Sequence, residues 1–406
     1  MTPDIATGRA GRRSSPFAFL WASQFLSQFG DSIFQVAFIW LILDLTGSKA
    51  STGLATTISY LPSLLFGIVA GFLIDRWNRR GVMAAADLTR GLLLAAAGAL
   101  LWRGALTAPA LTAIAFVAST AACLFNPARD SLLPELVEPE RLTRANAWVQ
   151  ISQQAAFLAG PLAAGALIQA GGVVAVFPAG VLLFGGSLGF LLALRGAGRA
   201  HRAGAPPALA RDFVDGFRAI AADRTLVLLL VITALDNLVI MGPAILGNAV
   251  MVRDTLKRGA ASYALVEAVY GIGMIAGSLA VDRLARRFGA GRVVLWGIFL
   301  DGITYAPLFF CRSYPYFLVV SLLHSIAIPL ITVPRASILQ RIVPAARLGR
   351  VFALTNFTVY GMTALSLGLA GIALDRLTAP QLFGVIGLLG ATTGLVAMTS
   401  ARLRAL

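Results

Sequence analysis

The sequence predicts an all-α integral membrane protein with twelve transmembrane helices, arranged as two pseudo-symmetric six-helix bundles. Of its 406 residues, 58% are hydrophobic and only 13% are charged, whereas soluble domains usually carry about 25% charged residues. The apolar residues form about twelve blocks of roughly 18 to 27 residues, each long enough to cross a hydrocarbon core of about 30 Å. This pattern excludes a soluble enzyme, a secreted disulfide scaffold and a disordered chain.

The predicted spans follow directly from these apolar blocks. The first block follows three arginines, as a signal peptide does, but it is too long for one and contains Gln and Asp, so we expect it to be retained. In chain order the predicted spans are 17–43, 51–74, 82–102, 108–127, 146–169, 173–194, 226–250, 261–281, 293–311, 316–334, 351–374 and 380–400.

The distribution of basic residues predicts the orientation of the spans. About 25 of the 33 Arg and Lys residues lie in the terminal segments and in the connectors after even-numbered spans, and about 7 lie on the opposite side. The positive-inside rule therefore predicts that both termini are cytoplasmic. Because the Arg- and Ala-rich composition is typical of high-GC bacteria, we expect a multi-pass protein of the bacterial inner membrane. The net charge of +15 is assigned to topology and not to nucleic-acid binding.

The longest connector divides the chain near its middle. We assign 1–195 to an N-terminal six-helix bundle, 196–225 to a cytoplasmic linker and 226–406 to a C-terminal six-helix bundle. One face of a helix in this linker would carry apolar residues, namely Leu209, Phe213, Phe217 and Ile220. This pattern predicts an amphipathic helix on the membrane surface, and a plain linker is the alternative.

The two halves of the chain repeat each other. The segment 131–137 matches 337–343, and 71–76 matches 277–283 with one residue inserted. Parallel repeats of six spans, here at an offset of about 206 residues, are the arrangement of one large transporter class. In that arrangement the substrate site lies between the halves, near the middle of the bilayer.

The connector after the second predicted span carries a recognisable motif. It reads Gly71-Phe-Leu-Ile-Asp75-Arg76-Trp-Asn78-Arg79-Arg80. It resembles the signature loop of the major facilitator superfamily, with Asn78 in place of a glycine. In that superfamily the loop acts as a latch that favours one access state, and the alternative is a basic loop that only sets topology. The resemblance implies a gating role for Gly71, Asp75, Arg76, Arg79 and Arg80, and for the second copy at Gly277, Asp282 and Arg283.

Further short motifs narrow the resemblance. They include Thr46-Gly-Ser, Leu61-Pro, Gly160-Pro161 and Leu348-Gly-Arg-Val-Phe352. Together they are similar to the twelve-span drug:proton antiporter branch, which includes macrolide-efflux proteins and enterobactin exporters. This resemblance implies the major facilitator fold and the export of a bulky hydrophobic molecule by a monomer, in exchange for protons. An uncoupled facilitator, or a lipid or metabolite carrier of the same fold, is the alternative. Gly160 and Pro161 are equally explained as a kink between closely packed helices.

Four polar residues of the first predicted span lie on one helical face. Gln24, Gln28, Asp31 and Gln35 follow i, i+4, i+7, i+11 spacing. A polar stripe is costly against lipid, so we expect it to line the central cavity. Asp31, near the middle of the span, is a candidate for taking up and releasing a proton in each cycle. The alternative is a structural Asp, held by hydrogen bonds to a neighbouring helix.

The second half carries candidate counterparts. Asp236 and Asn237 in the seventh predicted span are close to the position that repeats Asp31. A pair of carboxylates across the pseudo-two-fold axis is a natural proton or cation site, and a structural role is the alternative. Asp301 in the ninth span is a further candidate, because a carboxylate at that depth is costly unless it has a function or a partner.

Other polar residues of the spans favour structural interpretations. Asp87 and Arg90, spaced i, i+3, predict an intrahelical ion pair that also braces the neighbouring loop. Glu267 lies close enough to the outer surface to snorkel. A lone His in an apolar helix, such as His324, is more typical of hydrogen-bonded packing than of proton transfer.

The motifs that the sequence lacks also exclude functions. It has no phosphate-binding P-loop, and its lysines are Lys49 and Lys257, so we do not expect ATP as the energy source. It has no metal-ligand cluster and no credible hydrolytic triad. We therefore predict a transporter and not an enzyme, without cofactor or metal. The expected partners are a small-molecule substrate, protons and the lipid bilayer.

Overall fold

The computed structural model describes residues 16–66, 74, 77–194 and 209–406, without the side chains of 209–213 and 345–346. These residues form helices joined by short connectors, and no strand occurs among them. The helices are α1 (Pro16–Thr46), α2 (Lys49–Phe66), α3 (Arg79–Trp102), α4 (Ala108–Leu136), α5 (Leu142–Gly171), α6 (Val176–Ala193), α7 (Leu209–Ala221), α8 (Arg224–Thr255), α9 (Ala260–Phe288), α10 (Ala290–Ile303), α11 (Tyr314–Ile342), α12 (Ala345–Leu374), α13 (Ala379–Met398) and α14 (Ala401–Arg404).

The membrane-spanning character of the chain is confirmed. In the described part, eleven helices are long and apolar enough to cross a membrane. The second predicted span corresponds to α2, which is described from Lys49 to Phe66. The predicted ends are less accurate than the spans themselves: α9 was expected to end at residue 281 but continues to Phe288. Its last turns carry exposed arginines, because a helix can extend past the apolar layer into the polar region.

The starts of several helices are fixed by capping side chains. Asn78 Oδ1 accepts a hydrogen bond from the backbone N–H of Gly81 at 2.8 Å, where α3 begins. Thr107 caps α4, and Thr378 caps α13 together with Gln381. These side chains satisfy N–H groups that have no partner within the first helical turn. A helix can therefore begin within a connector of only a few residues.

Helix α8 is irregular through its middle and second half. After Asp236 its turns widen into π-helical segments at Asn237–Met241, Pro243–Gly247 and Met251–Thr255. One released N–H, that of Gly242, donates to Ser366 Oγ of α12 at 2.8 Å. Wide turns of this kind are frequent at functional sites, and these lie beside the predicted site residues of this helix.

The halves of the chain, α1–α6 and α8–α14, meet mainly through α2 against α12 and α5 against α9. Small residues allow the first contact. A Cβ atom added to Gly53 would lie 2.9 Å from Gly371 Cα and 2.6 Å from the backbone oxygen of Leu367. Helices that pack through glycine approach closely and gain van der Waals contact without a hydrophobic driving force.

Ion pairs join the halves at one end of the bundle. We call it the distal end; it carries the connectors after α1, α3 and α5, and the opposite end is the termini end. Arg253 of α8 donates to the backbone oxygen of Leu43 at 2.6 Å and lies 3.2 Å from Asp44. Lys49 of α2 lies 3.4 Å from Asp254. We call these contacts the distal clamp, because they hold α1 and α2 against α8.

The linker helix α7 packs on the C-terminal half. Ile220 is buried there, whereas Phe217 is 60% exposed. Asp215 lies 3.6 Å from Arg350 of α12, which fixes the polar side of the helix. The side chains of Leu209 and Phe213, which belong to the predicted apolar face, lie outside the described residues. The contacts of α7 therefore attach the linker to the start of α12.

Candidate substrate cavity

A cavity of about 340 Å³ lies between the two halves, near the middle of the helices. Its two walls differ in character. The N-terminal half contributes mainly apolar and uncharged side chains, including Ser32, Gln35, Val36, Ile39, Tyr60, Phe157 and Pro161. The C-terminal half contributes the carboxyl, imidazole and guanidinium groups of the lining, namely Asp236, Glu267, Asp301, His324 and Arg335, together with tyrosines and amides. The side chains that can carry a charge near neutral pH therefore lie on one wall of this cavity.

Asp301 of α10 and His324 of α11 face each other on that wall. His324 Nε2 lies 3.6 Å from Asp301 Oδ1, and both side chains are almost fully buried. Tyr305 stacks on the imidazole ring with 3.8 Å between centroids. Tyr270 of α9 holds Tyr305 through a hydroxyl contact of 2.5 Å. These rings fix the orientation of the imidazole.

The other two cavity carboxylates lie on neighbouring helices. Glu267 of α9 accepts a hydrogen bond from Asn248 Nδ2 at 3.4 Å. Asp236 of α8 interacts electrostatically with Arg335 of α11. Asn237, next to it, donates to the backbone oxygen of Thr233 at 2.8 Å. The structure thus places Asp236, Asn237 and Asp301 on the wall of one cavity, together with Glu267, Asn248 and Arg335. Their role in transport remains a prediction.

Several buried polar atoms on this wall are left without a hydrogen bond in the part of the chain that the structure describes. Asp236 Oδ1, Asn248 Oδ1 and Asp301 Oδ1 are buried and have no hydrogen-bond partner among the described residues. Buried polar atoms in proteins are almost always hydrogen-bonded, so each exception needs an explanation. Here the three oxygens border the same cavity, where a bound molecule, water or a proton can satisfy them.

Asp31 belongs to a different network, within the N-terminal half. Its Oδ2 lies 2.5 Å from Arg90 Nη1, and Arg90 Nη2 lies 2.5 Å from Asp87 Oδ1. Asp87 also accepts hydrogen bonds from Ser27, at 2.9 Å, and from Ser187. The intrahelical pair of Asp87 and Arg90 is therefore present, and it continues to α1 through Asp31. Asp31 thus pairs with Arg90 inside its own half. It does not form the expected carboxylate pair with Asp236 across the pseudo-two-fold axis.

The polar stripe of α1 is divided among several neighbours. Gln24 is fully buried and accepts a hydrogen bond from Ser152 of α5 at 3.0 Å. Gln28 donates to Asn126 of α4 at 2.9 Å. Gln35 is the member of the stripe that lines the cavity. The stripe was expected to face the cavity as a whole, but α1 packs against α4 and α5 toward the termini end, so its glutamines are used for helix contacts there.

Comparison with known proteins identifies the family. A family model described as transmembrane secretion effector matches residues 6–405. The chain belongs to this family of major facilitator superfamily transporters. Macrolide efflux protein A of Streptococcus pyogenes is 24% identical over 382 residues, which cover 92% of this chain and 93% of that protein. The multidrug efflux pump Tap of Mycobacterium tuberculosis is 31% identical over 218 residues, 52% of each chain.

Solved structures agree on the fold. The nucleoside transporter NupG matches with a TM-score of 0.77 at 13% identity, over 95% of this chain and 98% of that one. An inward-facing bacterial homologue of the iron transporter ferroportin matches with a TM-score of 0.74 at 17% identity, over 95% and 99%. The predicted major facilitator fold is thereby confirmed. The family and its relatives also confirm the prediction of a membrane transporter and not an enzyme, and these relatives are efflux proteins.

The signature loop of this superfamily is described only in part. Gly71, Asp75 and Arg76 lie outside the described residues. Arg79 pairs with Glu135 at the end of α4, and Arg80 donates to the backbone oxygen of Leu191, near the end of α6, at 2.7 Å. These contacts of Arg79 and Arg80 tie α3 to other helices of the N-terminal half.

The second copy of this motif is helical, whereas the sequence predicted a loop. Gly277, Asp282 and Arg283 all lie within α9. A Cβ atom added to Gly277 would lie 2.3 Å from the backbone oxygen of Ile326, so this glycine permits the close packing of α9 on α11. Asp282 pairs with Arg286 one turn further along the exposed end of the helix. The latch role of both copies remains a prediction.

The Gly160-Pro161 pair of α5 lies between α1 and the cavity. A Cβ atom added to Gly160 would lie 2.3 Å from Ser32 Oγ of α1, so this position requires a small residue. Pro161 lines the cavity. Close packing of α5 on α1 is therefore a structural reason for the motif, independent of antiport.

Sequence reasoning missed part of the cavity wall. Tyr263, Glu267, Tyr270 and Met274 of α9 all line the cavity, and they follow the same i, i+4, i+7, i+11 spacing as the stripe of α1. This periodicity was a usable signal, although aromatic and Met residues at helical spacing are common in any helix core. His324 was interpreted as packing, because a single sequence does not place it next to Asp301.

Proposed function

We propose that this transporter exports a bulky, largely apolar small molecule from the cytoplasm in exchange for protons, by alternating access to its central cavity. One observation carries the proposal: a cavity between the halves combines a largely apolar wall with a wall that holds three carboxyl groups, of which Asp236 and Asp301 are buried. Apolar walls bind bulky molecules with little need for fixed hydrogen bonds. Ionisable groups inside a membrane are costly, and proton relays are among their principal uses.

The distal clamp supports the alternating-access part of the proposal. The described ion pairs between the halves lie at the distal end, at Asp44, Lys49 and Arg253, and a hydrogen bond from Thr57 Oγ1 to the backbone oxygen of Ala364 joins α2 to α12 further along. The positive-inside rule places the termini in the cytoplasm, and therefore the distal end outside, in a bacterial inner membrane. With this orientation the clamp closes the outer side of the cavity. The opposite access state then requires the clamp to open.

Proton coupling supplies enough energy for efflux. One proton that moves down about 100 mV releases roughly 2.3 kcal/mol, which sustains a gradient on the order of 50-fold for a neutral molecule. The likeness to macrolide and multidrug efflux proteins supports drug-like substrates. We infer a monomer as the working unit, because the cavity is complete within one chain.

Export from pump-deficient bacterial cells tests the proposal. Cells that express the wild type should accumulate less of at least one macrolide or dye, and a protonophore should abolish the difference. Asp236→Asn removes a cavity carboxylate and should reduce export several-fold. Asp375→Asn, at the exposed end of α12, is the matched control and should export like the wild type.

Export that survives the protonophore would contradict the antiporter and favour an uncoupled facilitator. If no compound of the panel is exported, the drug assignment fails and a dedicated metabolite or lipid becomes the cargo to test.

A further inference from the structure

The hydrogen bonds around His324 fix which ring nitrogen carries its proton. Nδ1 lies 3.1 Å from the backbone oxygen of Asp301 and 3.2 Å from Thr304 Oγ1. A backbone carbonyl can only accept a hydrogen bond. The hydroxyl of Thr304 donates to the backbone oxygen of Leu300 at 2.6 Å, so its oxygen also acts as an acceptor toward the ring. Nδ1 therefore carries a hydrogen, and Nε2 of the neutral ring presents a lone pair.

That lone pair faces an oxygen of Asp301. The distance between Nε2 and Oδ1 is 3.6 Å, and Oδ1 has no hydrogen-bond partner among the described residues. A deprotonated carboxylate and an unprotonated Nε2 are both acceptors and repel each other in a buried site. One proton placed between the two atoms converts this repulsion into a hydrogen bond that joins α10 to α11.

We propose that Asp301 and His324 together bind the transported proton, as a single site between Oδ1 and Nε2. The inference rests on the proposed proton coupling and names the residues that perform it. Uptake forms one O–H or N–H bond on the pair and breaks one O–H bond of a hydronium ion in the cavity, which becomes water. The charge of the pair changes from −1 to 0. Release toward the cytoplasm reverses the step.

The surroundings of the pair are consistent with this role. Its charged and titratable neighbours on the cavity wall are Asp236 of α8, Glu267 and Tyr270 of α9 and Arg335 of α11. Tyr305, which follows the end of α10, stacks on the imidazole ring. Asp236 acts electrostatically on Asp301, as a like charge. Proton uptake removes this repulsion, whereas a largely apolar substrate that also carries a basic group competes for the same negative charge. Binding of the proton and of such a substrate is thereby linked in opposite senses, as exchange requires.

The chain offers a direct spectroscopic test, because it contains only two histidines. His201→Gln leaves His324 as the sole histidine, so ¹⁵N-labelled His in the purified protein reports one ring. We expect a protonated Nδ1 at every pH and a proton between Nε2 and Asp301 in the acidic part of the series. Infrared difference spectra between the lowest and the highest pH of the series should show a band of the protonated carboxyl group that forms in the same step. A ring with the proton on Nε2 and none on Nδ1 would overturn the proposal.

Substitutions identify the pair as the site. Asp301→Asn donates permanently from its amide to Nε2, so both the carboxyl band and the pH response of Nε2 should disappear. Asp236→Asn is the matched control; it removes a carboxylate of the same cavity but should keep both signals. His324→Gln is a second variant. The side-chain amide of this glutamine can donate a hydrogen bond to Oδ1 without the uptake of a proton, so the variant should also lose the carboxyl band. Signals that persist in Asp301→Asn would refute the assignment.

A transport assay separates this inference from the proposed function. In proteoliposomes with an imposed pH gradient, Asp301→Asn should lose the stimulation of transport by the gradient but retain exchange of labelled for unlabelled substrate. If wild-type transport ignores the gradient while the spectroscopic step is present, the coupling proposal fails and the proton site stands. If transport follows the gradient equally in Asp301→Asn, the coupling stands and its assignment to this pair fails.

Discussion

Arg90 Nη1 lies 2.5 Å from Asp31 Oδ2 and joins α3 to α1 inside the N-terminal half. Arg90 is 1% exposed, and its guanidinium lies between the rings of Phe125 and Phe184, 5.0 and 4.7 Å from their centroids. The same guanidinium pairs with Asp87. One cation thus pairs with two carboxylates, so we expect the stability of this half to depend on it more than on either acid alone.

Replacement of Arg90 should therefore be the most damaging change in this network. Arg90→Met leaves Asp31 and Asp87 without a counter-charge, and removal of one partner from a buried ion pair costs about 3–5 kcal/mol. Asp31→Asn leaves the pair of Arg90 and Asp87 intact and should cost much less. Thermal unfolding of the purified variants, followed by tryptophan fluorescence, measures the order. Equal losses in the two variants would show that Arg90 does not hold the network together.

This network illustrates what a single sequence can and cannot predict. The i, i+3 spacing of Asp87 and Arg90 predicts their pair, because the geometry of one helix determines it. The contact with Asp31 depends on how α3 packs against α1, and hydropathy contains no information about which helix faces meet. The spans themselves were predictable because lipid imposes a length and a composition on every crossing helix.

The cavity shows the same limit. Asp236 and Asp301 were candidates for function, the first because it nearly repeats the position of Asp31 and the second because a carboxylate is costly at that depth. Glu267 and His324 were given structural interpretations, since their nearest partners, Asn248 and Asp301, lie on other helices. The motif copy in α9 was expected in a loop, because its basic residues follow the predicted end of the span. Basic residues at the end of a longer helix fit the same charge pattern, so the sequence does not distinguish the two.

The distal clamp should control access from the outer side. Arg253→Asp removes the pair with Asp44 and places like charges together; one exposed pair contributes up to about 1 kcal/mol. We expect a cysteine at Gln35, in a background without Cys123 and Cys311, to react up to about fivefold faster with an impermeant reagent added outside. The double variant Asp44→Arg with Arg253→Asp restores opposite charges and should return the rate toward its original value. An unchanged rate in Arg253→Asp would show that the clamp does not limit access.

Close packing of α2 on α12 should also be necessary for the closed distal end. The Cβ atom of Gly53→Ala would lie 2.6 Å from the backbone oxygen of Leu367, which cannot move aside without its helix. Overpacking of this kind costs about 1–3 kcal/mol, so we expect a lower unfolding temperature and weaker export. Gly361→Ala is the matched control, since its Cβ atom would meet only Leu64 Cδ1, at 3.5 Å. Should Gly53→Ala behave like this control, the contact can relax and does not set the closed state.

The division of the cavity into two walls predicts that substrate affinity and proton coupling can be changed separately. Phe157 lies on the uncharged wall and is 41% exposed there. Since full burial of a Phe side chain contributes about 1.5–3 kcal/mol, Phe157→Ala should raise KM for a bulky substrate roughly fivefold. The ratio of transport with and without a pH gradient should stay unchanged, because no ionisable group is touched. Asp301→Asn, on the opposite wall, should lower that ratio. If Phe157→Ala lowers the ratio as much as Asp301→Asn does, the two walls do not act independently, and coupling arises from closure around the substrate as a whole.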